Sequence, residues 1–196
     1  IEACADSELP VAGLVRHLGE RYPGDAGVAA VLLMNHVVLQ PGQAVFLPSG
    51  NLHAYIRGFG VELLANSDNV LRGGLTSKHV DVAELLRILD FSSGPVDVLE
   101  PETRPSGEAV FRTPVPEFCL SRVDLAEGSG GPGGIVELEP RGAQILVCTA
   151  GRIEVSSADE TVVLTPGRSA YASAADGVVG LSGTGTVFRA TADPDL

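Results

Sequence analysis

A chain of 196 residues, 44% of them hydrophobic and 19% charged, is long enough for one large or two small domains and apolar enough to bury a core, which excludes disorder as its overall state. Aromatic residues make up only 5% and Trp is absent, so that core rests on Val, Leu, Ile and Ala. The formal net charge of −12 repels polyanions at long range and argues against nucleic acid and anionic membrane surfaces as partners, while a small phosphorylated molecule could still be held by a few local Arg and Lys.

The first residues, Ile1-Glu2-Ala3-Cys4-Ala5-Asp6, have neither the basic start nor the apolar block of a secretion signal. No apolar run reaches the ~20 residues of a membrane helix. The chain begins without Met, as a processed chain or a piece of a longer one does. Its three cysteines, Cys4, Cys119 and Cys148, are odd in number, widely spaced and without any C-x-x-C pattern, which reads as reduced thiols in a cytoplasmic protein.

Residues 1 to 35 read as a helical segment. Leu14, Leu18 and Tyr22 recur at spacing four, "YPGD" breaks the pattern, and "AGVAAVLLMN" is either a short helix or the lead into a strand. From His36 the texture becomes β: "HVVL", "AVFLP", "HAYIRG" and "GVELLAN" are short β-branched and aromatic runs divided by Pro-Gly, Ser-Gly and Gly-Phe-Gly, the pattern of antiparallel strands with tight turns. Asp81 with Glu84 has the form of a capping box before a helix over 82–89. "SSGPVDVLEPETRPSGEAV" reads as a surface connector with a strand near Val96–Leu99. From Val115 onward about eight short strands follow at sandwich or barrel spacing. The fold class is therefore mainly β, with short N-terminal helices, a barrel portion over 36–95 and a second β domain over 96–196.

Leu39-Gln40-Pro41-Gly42 echoes Leu164-Thr165-Pro166-Gly167. Aligned as a repeat, the two put His53 opposite Val178 and Pro48 opposite Ser173. No His follows His79, so the C-terminal domain is expected to be structural and without a metal site. His17, on the N-terminal helix, His36 and His79 read as packing or surface residues.

Gly42, Pro48, Gly50 and His53 fit the spacing G-x5-P-x-G-x2-H, which resembles the second sequence motif of the cupin superfamily of small β-barrels. Pro-Gly turns the chain into a strand, Pro48 ends it, Ser49-Gly50 reverses it, and His53 opens the next strand at the barrel mouth. A neutral imidazole there suits zinc, iron or manganese. The other half of the cupin pattern, H-x-H followed by Glu, is absent from this chain.

The stretch around His53 resembles the type I mannose-6-phosphate (phosphomannose) isomerases. The resemblance rests on His53-Ala54-Tyr55, Glu62, Ala65-Asn66-Ser67-Asp68-Asn69 and Arg72-Gly73-Gly74-Leu75-Thr76-Ser77-Lys78, and covers about residues 40 to 90. It departs at Ser77, where the family usually has Pro, and at His79, where it usually has an aromatic residue.

The resemblance implies cupin/jelly-roll barrels and a zinc-dependent interconversion of mannose 6-phosphate and fructose 6-phosphate. One Zn2+ serves each active site, with His53 as a ligand. The remaining ligands are expected in an N-terminal half of the same protein. It makes Arg72 the catalytic arginine, Lys78 a phosphate contact and Tyr55 a pocket wall. Glu62 and Asp68 are the acid/base candidates. By its apolar flanks Glu62 is either a barrel-facing carboxylate or an exposed strand carboxylate, and Asp68 is alternatively a loop cap. Two rivals stand beside this reading. One is a non-catalytic sugar-binding or scaffold cupin, against which the retained Glu62, Asp68, Arg72 and Lys78 argue. The other is an isomerase or epimerase of a related sugar phosphate.

Overall fold

The computed structural model describes residues 7, 9–67, 69–131 and 133–192. Cys4 and Asp68 lie outside the described residues. The chain divides into two compact units, one drawn from residues 1–40, 47–58 and 67–97 and the other from 41–46, 59–66 and 98–196.

The first unit is organised by short helices. Helix α1 (Pro10–Arg21) opens with Pro in its first turn, where a missing N–H costs nothing and a fixed φ helps. It closes where Tyr22 N donates to Leu18 O at 2.8 Å, with Arg21 at the electronegative end. The spacing-four pattern lies on its inner face. Val15 and Leu18 are buried, with Val11, Leu14 and Tyr22 against them, and all pack on Val28 and Val31. Those two belong to helix α2 (Gly27–Ala30) and the 3-10 turn Val31–Leu33, so "AGVAAVLLMN" is helical.

Helix α3 (Val82–Ile88) starts where expected: Asp81 Oδ1 accepts from Glu84 N at 3.0 Å. The reciprocal half of the capping box is replaced. Glu84 turns its carboxylate to Arg87, whose Nε donates at 2.9 Å, and this bond holds the Glu84 carboxyl below its ordinary value.

The run of strands expected between His36 and Asn66 is corrected by the structure. Only β1 (Ala44–Val45) forms a ladder, with β2 (Val98–Leu99), in the register Ala44↔Leu99 and Val45↔Val98. The rest carries no ladder through residue 80 among the described residues. β-branched alternation favours extended backbone, but a strand also needs a neighbour whose N–H and C=O groups face it, and no described segment supplies one. Apolar side chains along this stretch stay in solvent: Val38 is 70% exposed and Phe59 89%.

The second unit holds an antiparallel β fold of eight strands: β3 (Glu102–Thr103), β4 (Ala109–Phe111), β5 (Cys119–Leu125), β6 (Val136–Leu138), β7 (Gln144–Ser156), β8 (Thr161–Leu164), β9 (Ser169–Ala172) and β10 (Val179–Thr191). Strands β3 and β4 lie within the stretch read as a connector. Strand β7 joins "AQILVCTAG" and "RIEVSS", and β10 joins "GVVGLSG" and "TVFRAT", runs that count as separate among the roughly eight short strands expected. Their pairing is continuous from Gly180↔Ser156 to Thr191↔Gln144, with one irregularity at Thr186/Val187. At one end β10 also pairs β6 and β7 pairs β8. At the other end β10 pairs β5 and β7 pairs β9. One long β7–β10 ribbon is thus flanked by different strands at its two ends within one eight-stranded antiparallel sheet, as in a jelly roll.

The middle of this ribbon is built from glycine. Gly151 faces Gly185 with φ +77° and +142°, and a Cβ on either would collide with a carbonyl of the facing strand, Thr184 O or Ala150 O. Inner faces alternate as period two requires. Val123, Leu125, Leu138, Leu146, Cys148, Ile153, Val179, Leu181 and Val187 form one buried cluster.

Arg189, in the same strand as Val187, is fully buried. Its Nε donates to Gln144 Oε1 (2.6 Å), its NH1 to Glu108 Oε1 (3.0 Å) and its NH2 to the Glu139 carbonyl. Ser121 Oγ donates to the same Glu108 oxygen at 2.6 Å. Burial pushes the Arg189 guanidinium below its ordinary value, and the Glu108 charge pushes back.

Candidate functional site

Among the described residues no cluster of three or more His, Cys, Asp and Glu could hold a metal ion. The candidate site is therefore a partial one. It is carried on the irregular chain of the first unit, over residues 48–58 and 67–78.

The turn before His53 closes where Asn51 N donates to Pro48 O at 3.2 Å, and it is tied down where Asp90 N, just past α3, donates to Gly50 O at 3.0 Å. His53 follows, exposed, with Nδ1 3.0 Å from Asn51 O. A carbonyl can only accept, so in the neutral imidazole the proton sits on Nδ1 and Nε2 keeps its lone pair. A ring held by one nitrogen with a lone pair on the other is the state in which histidine binds a metal. The Tyr55 ring stands edge-on to it, with centroids 6.0 Å apart and planes at 72°. His53 fits zinc as a single donor, and the described chain does not complete the cage around it.

Arg72 and Lys78 flank a tight loop, and both are exposed. Gly73 packs so closely on Leu52 that a Cβ there would collide with Leu52 Cδ1. The residue before His53 thus touches the residue after Arg72. Beyond Gly74, Leu75 takes a left-handed backbone with φ 52°, a conformation that costs a residue with a Cβ ~1–2 kcal/mol. Asp25 compensates: its Oδ2 accepts from Leu75 N at 2.8 Å and its Oδ1 from Gly27 N at 2.7 Å. The Leu75 side chain packs on the helical core. Lys78 N donates to Thr76 Oγ1 at 3.1 Å and closes the turn.

Glu62 belongs to the second unit and is exposed, between half-buried Val61 and Leu63. Asp68 lies outside the described residues. Asp25 was missed in the sequence. "YPGD" registered as a helix breaker, and an Asp two residues before a Gly that opens a helix was the only signal that its carboxylate binds backbone amides.

A small jelly-roll fold together with a histidine-bearing Pro-Gly turn defines a cupin-class β protein. The comparisons are specific. Mannose-6-phosphate isomerase of Salmonella typhimurium is 38% identical over 176 residues, covering 89% of this chain and 44% of that protein, and the Bos taurus enzyme is 36% identical over 151 residues, covering 74% of this chain and 34% of that protein. The crystal structure of mannose 6-phosphate isomerase from Salmonella typhimurium bound to substrate and a zinc atom matches with a TM-score of 0.84 at 34% identity, over 98% of this chain and 48% of that one. No family model matches. The chain belongs to the mannose-6-phosphate isomerase family, and it spans less than half the length of the relatives it matches.

Proposed function

We propose that the chain is the C-terminal part of a zinc-dependent mannose-6-phosphate isomerase, assembled with an N-terminal portion of the same polypeptide. The observation that carries the reading is the His53 to Lys78 segment, in which a histidine with a lone pair on Nε2 and the two cations of the Arg72–Lys78 loop sit on chain segments that touch at Leu52 and Gly73.

The reaction moves a proton between C2 and C1 of an open-chain sugar phosphate through an enediol. When bound, zinc would polarise substrate oxygens without a proton-transfer partner of its own. In this chain His53 Nε2 is the zinc donor. Arg72 neutralises charge on the enediol oxygens and Lys78 that on the phosphate. Tyr55 lines the pocket. Glu62 and Asp68 are the carboxylates that can accept the proton and return it.

The domain organisation follows: a helical segment over 1–35, the second half of the catalytic barrel over 36–95, and a jelly roll without metal over 96–196. Among the described residues between 46 and 80 no ladder forms, which supports it, because strands contributed by the N-terminal portion would satisfy those backbone groups and cover Phe59 and Leu64. The reading puts the protein in the cytoplasm, where reduced, buried thiols such as those of Cys119 and Cys148 persist. No helix among the described residues is long and apolar enough to cross a membrane.

Metal analysis and a coupled isomerase assay on the complete polypeptide test the reading. It should bind zinc and turn over mannose 6-phosphate, and His53→Ala should lose both. The 196-residue chain alone should bind zinc weakly and have no activity. Zinc without turnover in the complete protein would favour a scaffold cupin, and micromolar or tighter zinc binding by the chain alone would contradict a cage shared between portions.

A further inference from the structure

We infer that Asp25 is a positioning residue for Arg72, acting through the backbone of the loop that carries it; the inference rests on the catalytic reading of Arg72 given above. Arg72 is a long, flexible side chain on a segment without ladder hydrogen bonds, so its reach depends on where residues 73–76 are fixed.

Two supports fix them. On one side Gly73 lies against Leu52, the residue before His53. On the other, the Asp25 carboxylate bridges the loop to the first turn of α2, with one oxygen on Leu75 N (2.8 Å) and the other on Gly27 N (2.7 Å). The approach is close throughout. A Cβ on Gly27 would lie 3.0 Å from Asp25 Oδ1, 3.2 Å from Leu75 N and 3.3 Å from Gly74 Cα, and a Cβ on Gly74 would lie 3.1 Å from Gly27 Cα. Leu75 is the one non-glycine residue among those described with a positive φ, and an amide held by a carboxylate is what keeps it there. The clamp spans fifty positions of sequence and ends three residues from Arg72.

Misplacing a transition-state contact by about 1 Å costs on the order of 100-fold in rate, and an interaction made only in the transition state lowers kcat and kcat/KM together. Asp25→Asn keeps an acceptor oxygen for only one of the two amides. In the complete enzyme it should lower kcat about 10- to 100-fold, with KM and zinc content little changed. Gly27→Ala should act in the same direction by pushing the loop off the helix, while Ala in place of Gly favours the helix itself.

The discriminating measurement is a double-mutant cycle. In an Arg72→Ala background, Asp25→Asn and Gly27→Ala should cost little further activity, because the residue they position is gone. Hydrogen exchange at the Leu75 amide should accelerate in Asp25→Asn whatever residue 72 is. An equal fold-loss in both backgrounds would make Asp25 a structural residue only and overturn the inference, as would an unchanged kcat in Asp25→Asn. If Arg72→Ala itself leaves turnover intact, the catalytic reading of Arg72 fails instead. That case is recognised by faster Leu75 exchange in Asp25→Asn without a kinetic effect from either residue.

Discussion

Glu108 offers a sharp test of how the jelly roll is held together. Its side chain is 4% exposed and its partner Arg189 is 0% exposed, at 3.0 Å. Glu108→Gln keeps the size and an acceptor oxygen for Arg189 and Ser121, and removes only the charge. With an effective dielectric of about 20, two unit charges at this separation attract by roughly 5 kcal/mol. Leaving one member of a buried pair uncompensated costs about 3–5 kcal/mol. Because hydrogen bonds survive in this variant, the expected loss lies at the lower end, about 3 kcal/mol.

The assay is urea unfolding of the complete polypeptide followed by circular dichroism, since this chain has no Trp to report on. Glu102→Gln serves as the reference. Glu102 pairs with Arg112 at 3.3 Å, but the two side chains are 68% and 42% exposed, and such a pair is worth ~0–1 kcal/mol. Replacing Glu108 and Arg189 together by Leu and Met should cost less than the two single changes summed. A Glu108→Gln protein as stable as Glu102→Gln would refute the view that this ion pair holds the residue before β4 to β10.

Gly151→Ala should destabilise by ~2–4 kcal/mol in the same assay, because the new methyl meets Thr184 O and the backbone stays left-handed. Asp81→Ala, which removes the acceptor for Glu84 N, should cost ~0.5–2 kcal/mol and speed hydrogen exchange in the first turn of α3. Asp176 accepts from the Ser173 hydroxyl and amide, and these bonds hold its carboxyl below the ordinary value of 3.8. Because the folded value is the lower one, its contribution to stability is complete above the ordinary carboxylate value and is lost as pH falls through the folded value. The Ser173 amide resonance, followed against pH, should report that transition, and Ser173→Ala should return the titration towards an ordinary carboxylate.

What could be read in advance divides along physical lines. Helix α3 was legible because its signals are local: a capping Asp, a Glu three residues on, and one apolar face. The His53 and Arg72 motifs were legible because residue type and spacing carry them. Long-range features were not. Gly151, Gly183 and Gly185 each mark a place where β7 and β10 come too close for a side chain, and nothing in the local sequence says so. β3 and β4 hid in a Pro- and Gly-rich stretch because such short strands take their identity from their neighbours. Arg189 could have been caught: counted in steps of two from buried Val187 it falls on the inner face of "TVFRAT", where a cation demands a buried acid. Its partner Glu108 lies eighty-one positions away, and no local pattern joins them.

The pairing scheme has a consequence for how the jelly roll comes apart. β10 is the common neighbour of β5, β6 and β7. Without it the ladders fall into a β3-β4-β5 fragment, a β7-β8-β9 fragment and an orphaned β6. Peeling this strand away would therefore not fray the assembly from an edge but divide it through the middle. Partial loss is then a poor intermediate, and nicks or substitutions within residues 179–191 should act as an on-or-off event for the whole β unit.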